Sequence, residues 1–293
     1  MTDLAARLPL GINTFVWQSP LTDANIESTL RTIAALGYDA VELAFENPGD
    51  WDAARAADLL QELGLRSVVG AVFGPGRDLA VASDATIQST AAYVRSAIDA
   101  ASRQGSSMVI GPMSTSVGRT WRMSEDERAA AVIELRLALS GLGEYAGDRG
   151  VRLALEPLNR YETSFLTTAA QVMEVIEPLP AELVGVNLDT YHMNIEEKTF
   201  DDAFATVGDR LIHLQVCGND RGAPGADHID WVAVRSSLER HGYEGMLGFE
   251  SFTADNETIA TAASIWRPFA ESQDELARLS LAMLTEWRAG WRS

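Results

Sequence analysis

Short apolar runs alternate with longer amphipathic stretches along the whole chain. Runs at Leu10–Val16, Ala40–Leu43, Ser67–Ala71, Ser107–Gly111, Arg152–Leu155, Leu183–Leu188, Leu211–Val216 and Met246–Phe249 predict eight strands. They lack strict apolar/polar alternation, which predicts a sheet buried on both faces. Between them, Asn25–Leu36, Trp51–Leu63, Thr86–Arg103, Glu125–Tyr145, Ala169–Ile176, Asp201–Val207 and Trp231–Glu239 carry the helical period. Helices of this kind cross from one parallel strand to the next. Ser124-Glu125-Asp126-Glu127 reads as a capping box that starts the fourth helix. Gly37, Gly64 and Gly150 each fall between a helix and a strand, where a left-handed cap is expected.

Eight strand-helix units in 293 residues predict an α/β fold, a (β/α)8 TIM barrel with an extra C-terminal helix. No Pro/Gly/Ser-rich linker interrupts the chain, so residues 1–293 read as one domain. A weak internal echo supports repeated units: Gly37-Tyr38…Glu42, Gly150-Val151…Glu156 and Gly242-Tyr243…Glu250 each place a glutamate at the end of an apolar run. An open doubly wound sheet is disfavoured, because no Gly-rich phosphate loop follows the first strand.

The formal net charge of −19 repels nucleic acid and anionic membrane surfaces, and it weighs against a phosphorylated sugar. No run of about 18 apolar residues predicts a membrane span. Met1–Leu8 lacks the basic-then-apolar pattern of a secretory leader, so a cytoplasmic location is the default expectation. Cys217 is the only cysteine, which excludes a disulfide within the chain and a thiolate metal cluster.

Functional groups of a barrel sit at the C-terminal ends of its strands. The fifth run ends at Glu156, the sixth at Asp189, and the eighth at Glu250, while the seventh carries His213 and Gln215. Three carboxylates converging on one end of a barrel repel one another, and a divalent cation relieves that repulsion. Oxygen-rich ligands suit Mn2+, Mg2+ or Co2+. His213 lies two residues before Gln215, on the same side of the strand, and is a candidate for a supporting or substrate-binding role. Trp17, Phe73 and Trp121 follow the first, third and fourth strands, where rings wall a pocket or plug the mouth. Trp51, Trp231, Trp266, Trp287 and Trp291 are expected to pack helices, and His228 and His241 to be structural or exposed.

Four segments carry a family resemblance: Glu156-Pro157-Leu158-Asn159-Arg160-Tyr161-Glu162, Asn187-Leu188-Asp189-Thr190-Tyr191-His192-Met193-Asn194, Asn219-Asp220-Arg221-Gly222 and Gly248-Phe249-Glu250-Ser251-Phe252. Together with Ile265-Trp266-Arg267-Pro268 they resemble the ketose 3-epimerases of the xylose-isomerase-like barrel superfamily, from about Leu10 to the C-terminal helices. The resemblance implies a metal held by Glu156, Asp189, Gln215 and Glu250, with Mn2+ favoured. At position 215 the 3-epimerases have histidine. The glutamine here resembles the hydroxypyruvate isomerase branch. Substrate contacts are implied at Glu162, His192 and Arg221, with Arg221 on distal hydroxyls.

The chemistry so implied is proton abstraction next to a carbonyl, with Glu156 and Glu250 as the acid/base pair on opposite faces of a sugar. Return of the proton from the opposite face epimerises, and transfer to the neighbouring carbon isomerises. The catalytic subunit of metal-dependent C-glycoside deglycosidases is also similar, and it implies elimination from a 3-oxo-glycoside with a small second subunit. A hydroxypyruvate isomerase-like enzyme and a non-catalytic barrel subunit are further alternatives. Endonuclease IV shares the barrel but needs a histidine-rich site and a basic groove. Four histidines and the acidic balance exclude it. Related barrels are often homo-oligomers.

Overall fold

The computed structural model describes residues 8–290. Trp291, and the leader reading of Met1–Leu8 except at Leu8, lie outside the described residues. Eight parallel strands close into a barrel in chain order: β1 (Leu10–Asn13), β2 (Ala40–Phe45), β3 (Arg66–Ala71), β4 (Met108–Gly111), β5 (Arg152–Leu155), β6 (Val184–Asp189), β7 (Leu211–Val216) and β8 (Leu247–Phe249). Closure pairs β1 with β8, so no strand edge is left open.

Around the barrel run α1 (Ile26–Leu36), α2 (Ala53–Leu63), α3 (Asp84–Gln104), α4 (Glu125–Gly147), α5 (Ala169–Ile176), α6 (Thr190–Glu196), α7 (Phe200–Val207) and α8 (Trp231–Arg240). Then α9 (Glu257–Ala262) and α10 (Gln273–Ala289) complete the described chain. Helical spacing of apolar residues decides which faces turn inward. In α1, Ile26, Leu30 and Ile33 are buried, and in α2, Ala56, Leu59 and Leu60. The capping box at Ser124 forms with both reciprocal bonds. Gly37 caps α1 at φ 101°, and Gly64 caps α2 at φ 68°. Gly150 also has positive φ but lies beyond the end of α4, which runs on to Gly147.

Two local departures from the sequence reading shape the mouth of the barrel. The first strand stops at Asn13 instead of Val16, because the Asn13 side chain accepts a bond from the Phe15 backbone N–H at 2.8 Å and turns Thr14–Val16 into a 3-10 turn. Directly after β6, α6 begins where a loop was expected. The Asp189 carboxylate accepts from the Tyr191 N–H and so caps that helix.

The tryptophans divide. Trp51, Trp231 and Trp287 are buried as expected, but Trp266 stands 75% exposed in the loop between α9 and α10. Trp17 is held by a bond from its indole N–H to Asp274, and Trp121 lies beneath the Arg119 guanidinium.

Strand register sets the chemistry of the mouth. Asn13 lies beside Glu42, Asn187 beside His213, Asp189 beside Gln215, and Gln215 beside Gly248. On the other side, β3 and β4 offer Gly70, Ala71, Ile110 and Gly111. The barrel interior thus has a polar half and an apolar half. Among the described residues, no helix is long and apolar enough to cross a membrane.

Candidate active site

Glu156 leaves the end of β5 with its backbone N–H bonded to the Gly111 carbonyl at 3.0 Å. Asp189 ends β6, and Glu250 follows β8. All three carboxylates are buried; Glu156 and Glu250 line the floor of a cavity of about 700 Å³, and Asp189 lies behind them against Arg221 and His192. Burial pushes the Glu156 carboxyl well above the usual carboxylate range, and the charges of Glu250 and Asp189 push it further. Burial likewise pushes Glu250 up to about 8, with Arg221 opposing.

Arg221 sits among these acids. Its Nη1 lies 2.5 Å from Asp189 Oδ2 and 2.7 Å from Glu250 Oε2. Burial disfavours the guanidinium charge, but Asp189 and Glu250 hold it. Its plane rests on the rings of Tyr191 and Phe252, 4.0 and 5.2 Å from their centroids. Arg221 therefore reaches the carboxylate floor, not the distal end of the pocket where the sequence reading put it. Its backbone has φ 71°, a conformation that non-glycine residues rarely adopt and that clusters at functional sites.

His192 is buried on the same floor. Its Nε2 lies 3.6 Å from Glu156 and 3.8 Å from Asp189. Ligand atoms of Glu156, Asp189 and His192 lie within 4.8 Å of one another, so this group could hold a metal ion. The hydrogen bonds refine that set. His192 Nδ1 faces two donors of Asn159, the backbone N–H and the side-chain amide nitrogen, each at 3.0 Å. Asn159 cannot turn its oxygen there, because that oxygen accepts from the Tyr161 N–H. Nδ1 thus faces donors, and Nε2 faces one as well, Arg221 Nη2 at 3.2 Å. Burial lowers the pKa of His192, which favours the neutral ring. Glu162 completes this side: it accepts from the same Asn159 amide at 2.7 Å and lines the cavity.

The donor chemistry fits a divalent ion. Three buried carboxylates, two of which, Glu156 and Glu250, are pushed up by burial and acidic neighbours, with one guanidinium against Asp189 and Glu250, form a site in which added positive charge is favoured.

A family described as xylose isomerase-like TIM barrel matches residues 30–284. The chain belongs to that family. L-ribulose 3-epimerase of Methylomonas sp. (strain DH-1) is 28% identical to it over 283 residues, covering 96% of this chain and 98% of the relative. Among solved structures, an L-ribulose 3-epimerase superposes with a TM-score of 0.89 at 28% identity, covering 96% of this chain and 95% of that one. A Methylomonas D-allulose 3-epimerase in complex with D-allulose gives 0.86 at 28% identity, covering 96% and 97%.

Within this xylose isomerase-like barrel, Glu156, Glu162, Asp189, His192, Gln215, Arg221 and Glu250 all gather at one end, as their strand positions predict. Gln215 arrives with its amide reversed relative to a ligand. Its Nε2 faces Glu250 at 2.8 Å and Glu42 at 2.9 Å, while its Oε1 is taken by the Asn187 amide at 2.6 Å. His213 lies below the cavity wall, fully buried, with Nε2 2.8 Å from Glu42. It supports the floor and does not reach the space for a substrate. His228 bonds Asn194, and His241 bonds Asp201, both away from the cavity.

Several site residues escaped the sequence reading. Glu42 and Asn13 belong to the floor, yet each reads as one polar residue in a short apolar run. For Glu42 the signal was the glutamate echo itself. Of the aromatic residues expected at the mouth, Phe73 lines the cavity and Trp17 and Trp121 do not. Phe15, Tyr161 and Phe252 also line it, and the rings of Phe15 and Phe252 stand 5.5 Å apart.

Proposed function

We propose that this chain is a divalent-metal-dependent sugar epimerase that inverts C3 of an unphosphorylated ketose. The observation that carries the reading is the pair of buried glutamates, Glu156 and Glu250, beside Asp189 at the floor of a sugar-sized cavity. Both carboxyls are pushed up, and Glu250 to about 8. Two such groups that cannot both ionise easily give one proton acceptor and one proton donor at neutral pH. The full-length likeness to ketose 3-epimerases supports a ketose over other carbonyl substrates.

The ion would be held by Glu156, Asp189 and Glu250, an all-oxygen set that suits Mn2+ first, then Mg2+ or Co2+. When bound, it supplies electrophilic polarisation of the substrate carbonyl. The protein supplies the proton traffic. The ionised glutamate removes the C3 proton from one face, and the neutral one returns a proton from the other. His192 and Arg221 line the cavity, and the Arg221 guanidinium donates to substrate oxygens as charge builds on them. Glu162 accepts from a hydroxyl and holds the Asn159 amide that faces His192 Nδ1. The apolar wall formed by Phe15, Val72, Pro75, Phe252 and Ile259 takes the far end of the sugar. Arg221 is the only cationic side chain on the wall among the described residues, and it is bonded to acids, which weighs against a phosphate.

The lone buried Cys217 suits a reducing cytoplasm. The 3-oxo-glycoside elimination suggested by sequence gains no support from the relatives above.

The test is conversion of L-ribulose, D-allulose, D-tagatose and D-fructose, followed by chromatography with and without a chelator. The C3 epimer of at least one ketose is expected, with loss on chelation and recovery with Mn2+. Full activity in chelated protein would overturn the metal reading. Conversion to an aldose without any epimer would overturn epimerisation.

A further inference from the structure

Glu42 is a fully buried carboxylate beneath the site, and the reaction above does not use it. It sits within β2 and accepts three bonds: from His213 Nε2 at 2.8 Å, Gln215 Nε2 at 2.9 Å and Asn13 Nδ2 at 3.1 Å. Strand β8, on the far side of β1, makes room for it. A Cβ at Gly248 would lie 1.7 Å from Glu42 Oε1 and 3.2 Å from His213 Nε2. The side-chain space at that position of β8 is occupied by a carboxylate from across the barrel. A buried acid surrounded by three nitrogen atoms is an organising centre for those side chains.

The side chain it orients most consequentially is Gln215. An amide nitrogen has two hydrogens, and here both are committed to acids. One points to Glu42 and the other to Glu250 Oε1 at 2.8 Å. The amide oxygen accepts from Asn187 Nδ2 at 2.6 Å. Reversing the amide would set its oxygen against the Glu42 carboxylate, which already accepts from two other side chains, and its nitrogen against the Asn187 nitrogen. Turning Asn187 as well would repair only the last of these contacts. Only the reversed amide would offer an oxygen toward Glu250 and the cation site. Asn13 repeats the pattern at longer range: its Nδ2 bridges Glu42 at 3.1 Å and Glu250 at 3.4 Å.

We propose that Glu42 is a positioning residue that locks Gln215 as a hydrogen-bond donor to Glu250, so that the cation site consists of the Glu156, Asp189 and Glu250 carboxylates without the glutamine. The composition of the cation site rests on the reading above, whereas the orientation of Gln215 does not. Glu42 acts through Gln215: it fixes the Glu250 oxygen that receives the amide and thereby the direction in which that carboxylate faces the substrate.

Side-chain amide spectra of 15N-labelled protein test the lock directly, with the Gln215 pair assigned by its loss in Gln215→Ala. Both hydrogens should exchange at least about 100-fold more slowly than those of an exposed glutamine, as buried bonds to carboxylates require. In Glu42→Gln the pair should shift and exchange at least about tenfold faster. An unchanged pair in Glu42→Gln would overturn the proposal.

Two further measurements hold even if Glu42→Gln does not fold or the metal reading fails. In Mn2+ titrations followed by electron paramagnetic resonance, Gln215→Ala should bind within about threefold of the wild type and Asp189→Ala at least about 100-fold more weakly. Equal losses would make the glutamine a ligand and overturn the proposal. In a turnover cycle, Glu42→Gln/Gln215→Ala should be no slower than Gln215→Ala alone, because one residue acts through the other. Additive losses would overturn it. Absence of Mn2+ binding by the wild type would sink the metal-dependent epimerisation proposed above, and the amide spectra would still decide the role of Glu42.

Discussion

Two glutamates on one cavity floor, beside a third carboxylate, cannot all ionise without help. Glu156 and Glu250 are pushed up by burial and by their acidic neighbours, and Arg221 relieves part of the strain through Asp189 and Glu250. The same crowding that costs stability supplies a proton donor and a proton acceptor near neutral pH. Replacing either glutamate with Gln removes a proton carrier and part of the repulsion. Glu156→Gln and Glu250→Gln should each lower turnover by about 10²–10⁴-fold. Thermal unfolding of the metal-free variants should stay level with the wild type or rise. Wild-type turnover in either variant, measured by chromatographic epimer formation, would remove that glutamate from the mechanism.

At the scale of elements, the barrel was legible because its strands are apolar runs and its helices keep the 3.6-residue period over two turns or more. Arg152–Leu155 and Leu211–Val216 are strands with the boundaries the pattern predicts. What the pattern missed is local side-chain chemistry. Asn13 ends β1 by bonding its own neighbour's N–H, and Asp189 caps α6 within one residue of its strand. Both are polar residues that bend the backbone and also serve the floor, so a period-based reading passes over them. The carboxylates at the strand ends were legible because a barrel exposes those positions. Glu42 was not, because it lies inside a strand and its partners come from β1 and β7. The orientation of Gln215 was also hidden, since it depends on three side chains distant in sequence. Trp266 shows the converse error, a large apolar residue expected to pack against helices while its loop leaves it in solvent.

For the whole molecule, the buried acids tie stability to pH and to metal. The folded-state pKa of Glu250, about 8, stands above its ordinary value of 4.5, and Glu156 is displaced in the same direction. The native metal-free protein therefore holds protons that the unfolded chain has lost. This contribution is complete below about pH 4.5 and is lost as pH rises through about 8. A bound cation competes with those protons, so its affinity rises over the same interval. The gain in Tm on adding Mn2+ should therefore grow between about pH 5.5 and about pH 8.5. Calorimetry at fixed metal excess measures it. A gain independent of pH would mean that the ion does not compete with protons on these carboxylates.

The central claim is that Glu156 and Glu250 move a proton at C3 of a ketose, and solvent-isotope incorporation tests it most directly. Mn2+-loaded protein would be incubated in D2O with L-ribulose and, separately, D-allulose, then freed of metal and analysed by NMR. Deuterium at C3 of the epimer formed is the predicted result, with incorporation abolished in Glu156→Gln and Glu250→Gln. Epimer that appears with its original C3 hydrogen retained, or exchange that persists in both variants, would contradict the two-glutamate account.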